Sequence, residues 1–303
     1  MSICVFKYFL QHIEDANIKT LVEHALDVSQ QHKEMIEKIF FEEKISGPMG
    51  FSDEDVNVNA SRLFSDVFYL HYVKNMVRGG LVTHANTLPQ LFREDILSFG
   101  AKCLSSYIEL NQETTEILLK KGLAERPPYI VYPKETEFVQ KQSFILEILG
   151  KRSLTATEIT TLYANIMTNL FGSCIAAGFA QTAKSKKVCD YIARGKELAQ
   201  KHIKVFSDYL EHHSLPVPML LAVNQDVTNL TEPPFSDKLM MYHFGLMIYA
   251  GIGNYGTAIS ECMRSDLATD YSRLQIEILK FSEDGLNIMI DNNWFEQPPL
   301  AKG

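Results

Sequence analysis

Two histidines, His32 and His202, are the first residues whose placement suggests chemistry. Each follows a small residue by seven positions, Ala25 and Gly195, on an apolar stripe of helical period. Both rings therefore point into a helical core. An inward imidazole can ligate a metal, and His243, inside the uncharged run Leu239 to Ile259, is a third candidate metal ligand. A di-metal carboxylate site in a helical bundle needs a Glu from each of two helices and Glu-x-x-His from each of the other two, because hard oxygen ligands must neutralise two cations. Three positions before His32 and His202 stand Ser29 and Ala199 instead. Most of the ligand set is missing, so these residues are expected to be core histidines hydrogen-bonded to a neighbouring helix. The reversed pairs His71-Tyr72 and Tyr242-His243 are candidate partners.

Other motifs carry less. Gly251-Ile252-Gly253-Asn254-Tyr255-Gly256 spells G-x-G-x-x-G, but a dinucleotide site needs a strand before it and a helix opening at it, whereas this run sits inside a helical pattern. Its glycines are expected to let a neighbouring helix approach. Cys4, Cys103, Cys174, Cys189 and Cys262 form no C-x-x-C pair and no disulfide framework, which indicates a reducing compartment, the cytoplasm by default. No Ser-His-Asp set and no P-loop is visible, so no catalytic residue, cofactor site or cofactor is assigned.

The elements that would position the histidines repeat. Shifting the chain by 170 residues superposes Cys4 on Cys174, Gln11 on Gln181, His32 on His202 and Pro48 on Pro218. After one inserted residue the offset is 171, and Phe64-Ser65-Asp66 meets Phe235-Ser236-Asp237, Gly80 meets Gly251, and Arg93 and Asp95 meet Arg264 and Asp266. Glu125 and Glu296 close the match. The second copy shows the plan. A capping box at Thr155 and Glu158 opens helix one, which runs to about Lys184. Helix two fades at His212-His213, and a connection with four prolines leads to Ser236-Asp237, the expected N-cap of helix three. Helix four starts at Arg264-Ser265-Asp266 and carries no histidine. Asp66, Asp95 and Asp266 are read as N-caps in the same way, with Arg93 and Arg264 pairing with an acid across the turn.

Short links join helices one and two, and three and four, while the middle link is long enough to run the length of a helix, roughly 40 Å. One long crossover is the ferritin-like topology. The expected fold is therefore all-α: two tandem four-helix bundles of ferritin-like topology. The expected units are 1–125, a Pro-containing linker 126–153, and 154–303. The first bundle lacks most of its helix one, because Met1 aligns with Phe171. That should leave a trough exposing Leu21, Val28 and Ile36, to be filled by residues upstream of Met1, by another chain or by the segment 138–149, which has the pattern of a short helix.

The strings PPYIVYP (127–133), VQKQSF (139–144), PFSDKLMMYHF (234–244), AGIGNYGTAI (250–259) and DGLNIMI (284–290) resemble a family of tandem ferritin-like proteins of unknown function from spore-forming Gram-positive bacteria, some labelled as spore coat proteins. The resemblance implies the fold and a cytoplasmic or spore-coat location, and supplies almost no chemistry. A formal charge of −8 gives no general attraction to a nucleic-acid backbone. Leu239 to Ile259 is long enough to span a bilayer, but its repeat counterpart carries Lys74 and Arg78, so a buried helix is expected. The reading is a structural or interaction protein rather than an enzyme, with an unidentified protein partner; oligomer formation is left open. The alternative is a metal- or ligand-dependent redox enzyme, or a small-molecule binder, that uses an inward histidine.

Overall fold

The computed structural model describes residues 1–146 and 152–301. Among them the regular structure is helical: α1 (Ser2–Leu10), α2 (Ala16–Glu42), α3 (Asp66–Thr87), α4 (Glu94–Lys120), α5 (Ala156–Thr182), α6 (Lys186–His212), the short α7 (Val223–Asp226), α8 (Asp237–Glu261) and α9 (Ser265–Asp291). α2, α4, α6 and α9 are each 27 residues long, and the pairs α2/α6 and α4/α9 begin 170 and 171 residues apart. In the second half α5 packs between α6 and α8, with α9 opposite it. Among the described residues no helix is long and apolar enough to cross a membrane.

The helix starts follow local chemistry. The Thr155–Glu158 capping box forms as the spacing predicts. At α3 and α8 the caps are Ser65 and Ser236, whose hydroxyls accept from the Phe68 and Leu239 amides at 3.0 and 3.1 Å. Asp66 and Asp237, expected as caps, do something else. Each is the first residue of its helix and reaches the start of the preceding long helix: Asp66 accepts from the Glu14 and Asp15 amides, and Asp237 from Lys184 and Ser185. Two helix starts are tied by one carboxylate. Asp95 and Asp266 are likewise inside the first turns of α4 and α9, where each forms two bonds with Arg93 or Arg264.

The two long crossovers do not stay with their own halves. Asn57 N donates to Pro234 O at 2.8 Å, and Thr228 N to Leu63 O at 2.9 Å; the partners are equivalent positions exchanged. Ser65 Oγ donates to Asp226 at 2.5 Å and Ser236 Oγ to Asp55 at 2.6 Å. Glu296 accepts from the Met49 and Gly50 amides, and Glu125 from Met219. Each crossover thus pairs with the other half. The central core follows suit, running from Cys4, Phe6 and Phe9 through Phe68 and Tyr72 to Phe171, Phe179 and Phe235. A separate core fills the far end of the second half with Leu162, Tyr163, Ile166, Phe206, Leu210, Tyr255, Tyr271 and Leu274.

Two expectations about the first half need correction. Leu21 and Val28 are buried rather than exposed, and belong to one core with Cys4, Val5, Phe6, Tyr8 and Phe9 of α1. Ile36, farther along α2, is 39% exposed. The segment 138–149 does not fill the gap: it forms a 3-10 turn at Gln142–Phe144, its last three residues lie outside the described range, and it caps the second half through Ser265 N to Ile145 O. The Arg152 guanidinium donates to Phe144 O and lies 4.4 Å from the Phe144 ring.

Asp226 is buried and accepts from both Ser65 Oγ and the Ala222 amide. Asp226→Ala should lower unfolding free energy in urea by about 1 to 3 kcal/mol, because the partly buried Ser65 hydroxyl and Ala222 amide lose their acceptor. Asp53→Ala, at an exposed ion pair with Lys7, should stay within about 0.5 kcal/mol of wild type.

Candidate functional site

The inward polar groups are the candidates for chemistry, and the structure gives each histidine different company. His202 on α6 is buried; its Nδ1 lies 2.9 Å from Tyr255 Oη, which accepts a bond from Asn169 Nδ2 at 3.0 Å. Its Nε2 is 3.5 Å from Glu277, a carboxylate already bonded to Lys201 and Arg273. Burial pulls the His202 pKa down to about 4, outweighing the upward pull of Glu277. The ring is neutral at pH 7 and engaged by α8, the helix expected to supply a partner, though through Tyr255 rather than through Tyr242 or His243.

His32 holds the matching position on α2 but not the matching bonds. Its ring meets Tyr107 and Phe99 edge-on at 5.6 and 6.4 Å, and its buried Nε2 has no hydrogen-bond partner. The counterpart of Tyr255 is His84, which stacks on Tyr107 at 5.5 Å. Tyr107 in turn lies on Gly80, where a Cβ would come within 2.6 Å of the ring. Burial first, and then His84 and Lys102, lowers the His32 pKa.

His243 sits in the middle of the molecule. Its Nε2 and Tyr72 Oη are 2.7 Å apart, and both residues are buried. Positions 72 and 243 are equivalent in the two halves, so this contact straddles the approximate two-fold axis that relates them. His71, next to it, is buried with Nε2 unpartnered, while its counterpart Tyr242 is 40% exposed. Burial takes the pKa values of His71 and His243 down to about 4.

The three metal candidates His32, His202 and His243 are therefore not brought together. Among the described residues no group of three or more His, Cys, Asp or Glu side chains could hold a metal ion. Glu158, the one inward carboxylate of helix one, is fully committed. It accepts from the Thr155, Met263 and Arg264 amides and from Arg152, closing the far end of the second half. Burial raises its pKa, but Arg152 and the Thr155 amide outweigh this and hold it below the usual range. Arg264, buried there too, donates to Asp266, to Arg152 O and to His213. The cysteines are free thiols, and burial pushes Cys103 up to about 11 and Cys174 up to about 12, so neither is a ready nucleophile.

The G-x-G-x-x-G run lies within α8. Gly251 and Gly256 face Ile278 and Gln275 at ordinary contact distance and Gly253 faces open space, so close helix approach does not explain them. That approach occurs at Gly195 and Gly285, against Phe244 and Tyr191. Sequence reasoning missed Tyr255, hidden inside this motif, and also Glu277, Asp55 and Asp226. The last two stand 171 residues apart, so the repeat register carried a signal for them.

Three buried histidines with folded pKa near 4 against 6.5 give a defined pH response. The unfolded chain binds more protons between those values, so the stabilisation from neutral rings is complete above pH 6.5 and is lost as pH falls toward 4. Each contributes about 3 kcal/mol over that window. Melting temperature should drop steeply from pH 6.5 to 4, and His202→Gln should make the drop shallower; an identical slope in the variant would contradict the assignment.

A family model described as "Protein of unknown function (DUF3231)" matches residues 1–136 and again residues 143–303. No curated protein matches the chain. The crystal structure of a "putative spore coat protein" from Bacillus halodurans C-125 is similar at 14% identity and a TM-score of 0.47, over 50% of this chain and 98% of that one. With two successive matches to one model, the chain is a tandem member of the DUF3231 family, whose function is unknown.

Proposed function

We propose that this chain is a non-enzymatic structural and interaction protein, in the cytoplasm or the spore coat, acting through its surface. Its units would be two bundles of ferritin-like topology, 1–125 and 154–303, joined by 126–153, with no intact di-metal site. One observation carries the reading. The inward histidines that a bundle metal site would recruit have diverged between the halves, His202 bonding Tyr255 and His32 lying against Tyr107. A functional metal would hold both to one ligand geometry. Large exposed apolar residues add support, since Phe41, Met49 and Phe92 in the first half and Tyr129, Val131 and Tyr132 in the linker stand out in solvent. Apolar surface of this kind marks contact sites more often than catalysis.

Elemental analysis of protein purified without chelators should find iron, manganese and zinc well below one equivalent. Fractionation of the source organism should find the chain in the spore-coat or cytoplasmic fraction. Stoichiometric iron or manganese that disappears in His32→Gln or His202→Gln would overturn the reading in favour of a metal-dependent enzyme.

A further inference from the structure

The stretch that joins the two halves leaves one short run of chain unpaired. Residues 124–133 form neither helix nor turn, and among the described residues the backbone of 127–133 makes no hydrogen bond. Tyr129, Val131 and Tyr132 are 83, 78 and 82% exposed, and Ile130 between them is 36% exposed. All four are residue types that favour strands, and none is charged. Pro128 and Pro133 bracket them, and Tyr132, standing before a proline, is biased toward extended backbone. An uncovered run of this kind, with its N–H and C=O groups unpaired, is a template for one more strand.

The charges and the prolines select the strand it fits. In a two-fold antiparallel pair the residue on the axis faces its own copy, and two registers bring Tyr129 to Tyr132 together. With Ile130 on the axis, Arg126 falls opposite Lys134 of the second copy, and like charges oppose the pairing. With Val131 on the axis, Arg126 falls opposite Thr136, between Glu135 and Glu137, while Glu125 is held aside by the Met219 amide. That register also matches side chains: Ile130 meets Tyr132 on one face, and Val131 meets Val131 between the two Tyr129 rings on the other. Aromatic and β-branched residues are favourable cross-strand neighbours. The backbone agrees. With Val131 as a non-bonded pair, Ile130 and Tyr132 exchange both of their N–H···O=C bonds on either side of the axis. Pro133 then lies opposite Tyr129, where no N–H is needed, and Pro128 has none with which to continue the ladder. The chain bends just beyond, at Lys134 and Glu135.

We infer that Tyr129 to Tyr132 is a self-association strand, through which two copies of this chain pair antiparallel about Val131. The inference rests on the interaction-protein reading and names one partner, a second copy. So short a ribbon covers less than a standard interface, so the dimer is weak, with Kd between about 10 and 500 µM.

Sedimentation velocity of the full 303-residue protein from about 5 to 500 µM should show monomer giving way to dimer. Val131→Asp sets two carboxylates face to face on the axis and should raise Kd about ten-fold or more. Since Val131 is exposed and belongs to neither core, that variant should keep the wild-type circular dichroism and melting temperature. Leu279→Asp, exposed on α9, should leave the dimer unchanged. Mild oxidation reads the register. Val131→Cys should cross-link to a dimer on a non-reducing gel, because Cα atoms of a non-bonded pair lie about 4.5 Å apart, within disulfide reach. Tyr129→Cys should stay at the wild-type background, because its two copies lie roughly 14 Å apart at about 3.4 Å per residue. A chain that stays monomeric over the whole range, a dimer that survives Val131→Asp, or equal cross-linking at 129 and 131 would each overturn the inference. Metal content reports on the proposed function separately, so failure here and failure of that reading are distinguishable.

Discussion

The structure depends on a meeting of helix N-termini at its centre. Each helix start leaves backbone N–H groups without intrahelical partners and carries the positive end of the helix dipole. Here α2, α3, α6 and α8 all begin near the interface between the halves, and carboxylates meet them: Asp15 caps α2, Asp66 and Asp237 bridge to the preceding helices, and Asp55 and Asp226 orient the capping serines. The last two come from the opposite half. Each half therefore holds part of the other's helix three in place, and neither crossover can settle in its observed path until the other half is present.

That constraint is concentrated at one end of each unit, and the far ends are free to differ. In the second half the end is sealed around buried Glu158 and Arg264, with Tyr255 and Tyr271 filling the interior. In the first half Arg93 is exposed and binds Glu43 and Asp95, Gly100 stands where Tyr271 stands, and Leu88 and Leu91 lean over it. The same backbone plan accommodates both because its central bonds are identical in kind, with partners exchanged.

Much of this was legible in the sequence, and the reason is local. The offsets of 170 and 171, the serine caps and the capping box are statements about residues a few positions apart, repeated twice, and the structure reproduces them. What the sequence did not reveal involves groups far apart along the chain. Nothing in the spacing of Asp226 announces that it will meet Ser65, 161 residues away. The repeat register leaves Leu21 and Val28 uncovered, because it does not show that α1 packs on α2 and shares its core. Those nine residues place Phe6 and Phe9 against Tyr72 at 5.9 and 4.9 Å, and suffice to close that end. For His202, the inward direction follows from its stripe, but its partner Tyr255 is 53 residues away on another helix, and no local spacing pairs the two.

The contact between Tyr72 and His243 shows what tandem fusion permits. At a two-fold axis between identical chains, equivalent positions must carry the same residue, and each group faces its own copy. A buried Tyr–Tyr or His–His pair can share one hydrogen bond only by breaking the symmetry. In a fused chain the two positions are separately encoded, and here they differ. Burial keeps the tyrosine protonated and the imidazole neutral, which leaves a matched donor and acceptor at 2.7 Å. Such a bond in a low-dielectric core is directional in a way that apolar packing is not. It joins α3 to α8 at the two-fold axis, with one position supplying the hydroxyl and its equivalent the imidazole. Fusion also lets the neighbouring pair, His71 and Tyr242, part ways: His71 is buried, whereas Tyr242 is 40% exposed beside Phe51, and the two positions answer to different neighbours.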